Sequence, residues 1–147
     1  MRRSVLGLLK RFINEHAPFG RARGANEKVP IKFVTLRHPT QCVLWEQPER
    51  LNGGGFGELF KTIACYEDSS HLTRYLYECR ECGQRYFYEW CEMVDWDEGN
   101  DKQYTTLIPV RTKAEITALK QASTIELLCY SPRLQRDGDK IVWIGKL

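Results

Sequence analysis

The stretch "HLTRYLYECRECGQRYFYEWCEMVDW" (residues 71–96) decides how the chain is read. Residues 71–79 and 84–96 are rich in aromatic side chains, and Tyr86, Tyr88 and Trp90 recur at a period of two, the period of a strand face. Between the two runs stands Cys79-Arg80-Glu81-Cys82-Gly83. A Cys-x-x-Cys turn brings two thiols to one side, and a glycine straight after it lets the backbone reverse sharply. The spacing therefore predicts two antiparallel strands joined at a turn that carries two potential metal ligands.

Working outward, "LFKTIAC" (59–65) reads as the strand before this hairpin and "KQYTTLIPV" (102–110) as the strand after it. "DEGND" (97–101) forms the loop between the third and fourth strands. "TKAE" (112–115) and "STIE" (123–126) are capping boxes that start two short helices, and "RLQRDGDKIVWIG" closes as a hairpin around Asp137-Gly138. Before the meander, "IKFVTLRH" (31–38) and "CVLWE" (42–46) read as strands, and the glycine-rich "LNGGGFGELF" (51–60) reads as a surface loop. Val5, Leu8, Leu9, Phe12 and Ile13 follow one helix face, which predicts a helix from Ser4 to His16 ahead of a linker. The expected class is α+β: residues 1–30 as a basic helix and linker, and residues 31–147 as one domain whose antiparallel meander is flanked by helices.

A chain of 147 residues suits one domain with a core of its own. It holds no apolar run long enough for a membrane span. Its start, "MRRSVLGLLKRF", is interrupted by Lys10 and Arg11 too early for a secretory signal, so a cytoplasmic location is expected. In that compartment the six cysteines stay reduced, and a Cys-x-x-Cys pair points to metal or redox chemistry. Cys42 and Cys129 lie in apolar sequence and are expected to be buried small hydrophobes.

The net charge of +3 is unevenly spread: residues 1–37 carry nine Lys or Arg against two acids. Arg2, Arg3, Lys10, Arg11, Arg21 and Arg23 form a basic arm of the kind that meets nucleic acid, an anionic membrane or an acidic protein patch. With Tyr86, Tyr88 and Trp90 as a stacking strand, this arm sets the alternative expectation, binding of RNA or single-stranded DNA. Against it, Glu78, Glu81, Glu89 and Glu92 share the stretch, and the aromatic stripe equally suits a sheet face packed against a helix such as 112–121.

Cys79-Arg80-Glu81-Cys82-Gly83 resembles the knuckle of zinc ribbons and rubredoxin-like sites, a likeness that spans about thirty residues (hairpin 65–91). It implies a structural zinc ion held by four converging ligands. A second Cys-x-x-Cys is missing. Cys65, at the end of the preceding strand, stands where a ribbon's first knuckle belongs, and His71, Asp68 or water would complete the set, with Cys91 as the rival third sulfur. The expected ligands are thus Cys65, His71, Cys79 and Cys82. "DWDEGNDKQYTTLIPV" and "YSPRLQRD" also resemble parts of a family of small bacterial proteins, a resemblance that carries no activity with it.

A redox role would want the pair at a helix start, whereas here a strand follows. No Gly-x-Ser-x-Gly, His-Glu-x-x-His or dinucleotide loop is present, "EMVDWDEGND" misses the calcium-loop spacing, and "GGGFGELFKT" misses that of a phosphate loop. The expectation is a non-enzymatic, zinc-stabilised binding protein with a protein partner, of adaptor or immunity type.

Overall fold

The sheet follows from the alternation. In β3 (Leu72–Cys79) Tyr75, Tyr77 and Cys79 point to one face and Arg74 and Leu76 to the other. In β4 (Arg85–Met93) Tyr86 and Tyr88 lie on the first face and Phe87 and Glu89 on the second. The register Leu76↔Phe87 and Tyr77↔Tyr86 keeps the two sets apart. With β2 (Phe60–Asp68), β5 (Lys102–Val110), β7 (Arg133–Asp137) and β8 (Lys140–Ile144), these strands form a six-stranded antiparallel sheet in the order β2-β3-β4-β5-β7-β8. The computed structural model describes residues 32–53 and 56–146, and residues 33–147 belong to one compact unit. The expected basic helix, linker and arm cations (Arg2, Arg3, Lys10, Arg11, Arg21, Arg23) lie outside the described residues.

Both faces are covered. On the back, α3 (Lys113–Gln121) and α4 (Thr124–Leu127) bury Leu119 and Leu127 against Leu76, Phe87, Ile108 and Val110. Both expected capping boxes are formed: Thr112 and Ser123 accept from the amides of Glu115 and Glu126, whose carboxylates bond back. On the front, α1 (Val43–Glu46), a 3-10 turn (Pro48–Asn52) and α2 (Phe56–Leu59) lay Leu44, Trp45, Leu51 and Phe56 over Phe60, Tyr86, Leu107, Leu134 and Trp143.

The structure changes two readings of this front layer. "CVLWE" is helical rather than extended, and Leu44 and Trp45, neighbours in sequence, are both buried, which a half-exposed strand does not allow. "FGELF" is helix α2 running into β2 rather than loop. The expected strand 31–38 shrinks to β1 (Val34–Thr35), paired in parallel with β6 (Tyr130–Ser131) outside the main sheet. The aromatic stripe does pack on a sheet face, but under α1 and α2; helix 112–121 covers the opposite face. The acidic tip between β4 and β5 explains itself. Asp95 accepts from the Asp97 and Glu98 amides, Asp101 accepts from the Asp95 amide, and Gly99 takes φ +66°. Among the described residues no helix is long and apolar enough to cross a membrane.

Candidate metal centre

Cys79 is the last residue of β3, and the chain after it turns within five residues. The Gly83 amide donates to the Cys79 carbonyl at 2.9 Å and the Cys79 amide to the Gln84 carbonyl at 2.8 Å. Gly83 sits at φ +77°, a left-handed conformation that a side chain disfavours, which is why glycine follows Cys82. Cys79 faces inward and is buried, while Cys82 stands at the exposed tip.

The front layer is fastened to this turn at several points. The Arg80 amide donates to the Leu59 carbonyl at 2.9 Å, and its guanidinium donates to the carbonyls of Gly57 (2.9 Å) and Phe60 (3.2 Å). Arg50 pairs with Glu81 at 3.0 Å. At its other end, α1 is held by the Trp143 indole, which donates to the Leu44 carbonyl at 2.6 Å and packs on Trp45 with ring centroids 4.9 Å apart. These links deliver Cys42, at the N-terminal cap of α1, onto the turn.

The Sγ atoms of Cys42, Cys79 and Cys82 consequently all lie within 4.8 Å of one another. Sulfurs on a tetrahedral zinc sit about 3.8 Å apart, given a Zn–S bond of about 2.3 Å, so the three thiols are close enough to share one ion with at most a small contraction. Their surroundings fit an anionic centre. The Leu44 amide favours the Cys42 thiolate and the Gln84 amide favours the Cys82 thiolate, in each case the amide two residues beyond the sulfur. Without a cation, burial is the larger influence: it pushes the Cys42 thiol up to about 12 and raises Cys82 as well. A divalent metal reverses that preference, because it binds the deprotonated form.

Tyr86 completes the surroundings. It is 0 % exposed, and its hydroxyl lies beside Cys42 with Cys79 and Cys82 close by. That hydroxyl has no well-formed hydrogen bond, yet it is aimed so that donation to Cys42 would favour the Cys42 thiolate. Burial and the neighbouring thiols raise its pKa far above the usual phenol range, so it is a neutral O–H donor.

The expected ligand set is only half assembled: Cys79 and Cys82 come together, and Cys65 and His71 lie elsewhere. The register places Phe60, not Cys65, opposite Cys79. Cys65 faces Tyr75, five residues or roughly 16 Å further along the edge strand. His71 sits at the far end of the hairpin and meets Glu92 at 2.9 Å. Asp68 lies opposite Thr73 at that same end, and Cys91 faces the back of the sheet near Glu89 and Arg74. His38, four residues before Cys42, packs on Trp45 with centroids 5.0 Å apart and does not belong to the thiol cluster.

Cys42, expected to be a buried small hydrophobe, is buried, but beside the other two thiols. A signal for it exists. Once "VLWE" is read as helix, a cysteine occupies the N-cap position where Ser, Thr, Asp or Asn is usual. Of the expected binding surface, Tyr86 is fully buried and unavailable for base stacking. Tyr88 and Trp90 are half-buried, with Tyr88 packed edge-on to Phe56. No known protein family, curated protein or solved structure matches the chain.

Proposed function

We propose that the chain is a zinc-stabilised binding protein without chemistry of its own, whose ion sits on Cys42, Cys79 and Cys82. The observation that carries this reading is the convergence of three thiols from two separate segments, within 4.8 Å, over a cysteine turn of ribbon-knuckle form. The ion ties the front helical layer to the β3–β4 turn, as structural zinc ties hairpins in small domains. Among the described residues no further Cys, His, Asp or Glu joins the group, which leaves a fourth position for water or another ligand.

A protein partner suits the surface better than nucleic acid. Trp96 is 89 % exposed at the acidic β4–β5 tip, and an exposed tryptophan is the residue type that anchors protein interfaces. The nucleic-acid alternative loses Tyr86 as a stacking platform. RNA binding that falls steeply with added salt would revive it.

Metal analysis of the purified protein tests the centre. Wild type, Cys65→Ser and His71→Ala should each retain about one zinc per chain, whereas Cys42→Ser and Cys79→Ser should lose most of it. Zinc lost from Cys65→Ser but kept in Cys42→Ser would refute this assignment.

A further inference from the structure

The orphan hydroxyl beside the thiols has a chemical meaning. A buried O–H without a partner is unfavourable, and native structures rarely keep one. The Tyr86 ring meets Phe60 edge-on with centroids 5.9 Å apart, deep in the front core. The Cys42 sulfur is adjacent and a Tyr86 donor favours its thiolate, but a neutral thiol is a weak acceptor and no full hydrogen bond is formed. A metal-bound thiolate is a strong acceptor, and hydrogen bonds to charged acceptors are about twice as strong as neutral ones.

We propose that the Tyr86 hydroxyl donates a hydrogen bond to the metal-bound Cys42 sulfur, which makes Tyr86 a positioning residue of the centre. This inference rests on the zinc reading above. Three thiolates on a divalent ion leave a net negative charge, and Cys42 and Cys79 hold part of it away from solvent. The Leu44 amide answers that charge at Cys42 from the helix side, and Tyr86 answers it from the sheet side. The two donors together fix where the Cys42 sulfur stands, and Cys42 is the ligand that must be brought from a separate segment.

The test compares wild type with Tyr86→Phe, which keeps the ring and removes only the donor. Zinc affinity is read by competition with a chromophoric chelator, and the site is also loaded with cobalt(II) for its sulfur-to-cobalt charge-transfer band. Expected are one ion per chain in both proteins, affinity lowered 10- to 100-fold in the variant, and a shifted band. A purely structural tyrosine would not move that band. Equal affinity with an unshifted band would overturn the role of Tyr86 and leave the centre standing. No metal uptake by wild type would overturn both. If Tyr86→Phe folds poorly, the thermal midpoint of each metal-free protein separates packing from donation: a midpoint loss without a band shift counts against the proposal.

Discussion

At the scale of single residues, the back of the sheet holds a charge pair as deeply placed as the thiols in front. Glu89 accepts from Arg74 at 2.6 and 2.8 Å and from the Thr124 hydroxyl at 3.2 Å, so it fastens α4 to β3 and β4. Its pKa is nevertheless raised: burial outweighs the pull of the Arg74 guanidinium and its hydrogen bonds. A carboxyl whose folded pKa lies above its unfolded value makes the native state bind more protons in the interval between the two. Stability from this group is therefore present below the ordinary glutamate pKa and is lost as pH rises through the folded value. Glu89→Leu should cost about 3 kcal/mol by denaturant unfolding, because it strands a buried guanidinium. Arg74→Met combined with Glu89→Leu should recover most of that loss and flatten this part of the stability–pH curve. Additive losses in the double variant would show that the two side chains act independently.

At the scale of elements, the helix starts on the back face are set by side-chain chemistry that reaches no further than three residues. α3 buries one residue fully, Leu119, so its cap matters more than it would in a longer helix. Thr112→Ala should lower stability by about 1 kcal/mol with an unchanged denaturant slope, read from equilibrium unfolding, and Thr112→Ser should restore most of it. The same locality explains what could be read in advance. The capping boxes, the 137–138 hairpin and the β3–β4–β5 meander depend on neighbours in sequence, and each stands where its residues predicted it. The front layer depends on Leu44 and Trp45 meeting Leu134 and Trp143 about ninety residues later, and short apolar runs such as "CVLWE" do not reveal their period. The thiol cluster inherits that blindness. Cys79 and Cys82 form a local turn and are legible in the sequence, whereas Cys42 is carried to them by α1, whose residues carry no helical signal of their own. The error over Cys65 has the same origin: thirteen residues separate it from Cys79, but the register of β2 on β3 puts Phe60 there instead.

At the scale of the whole molecule, the proposed ion adds a metal link between the front layer and the β3–β4 turn, which otherwise meet through buried side chains and a few polar bonds. The front layer packs Leu44, Trp45, Leu51 and Phe56 into the front core, and its polar anchors are the Arg80 and Arg50 links to the turn and the Trp143 and Lys146 bonds to the carbonyls of α1. Several of these are exposed hydrogen bonds or surface ion pairs, which individually contribute at most about 1 kcal/mol. The back layer and the β5–β7–β8 side of the sheet hold no part of the thiol cluster. Metal removal should therefore act regionally before it acts globally. Ligand that binds only the native state stabilises it in proportion to the logarithm of its excess over the dissociation constant, so chelation should lower the thermal midpoint of wild type by several degrees. Amide exchange should speed up in residues 42–60 and 79–84 and change little in β5, β7, α3 and α4. Cys42→Ser should show the same pattern without chelator and should not respond to it, because the variant has already lost the link. Cys65→Ser should match wild type in both conditions. Uniform acceleration across the sheet, or an equal chelator response in Cys42→Ser, would mean that the ion does not bridge α1 to the β3–β4 turn.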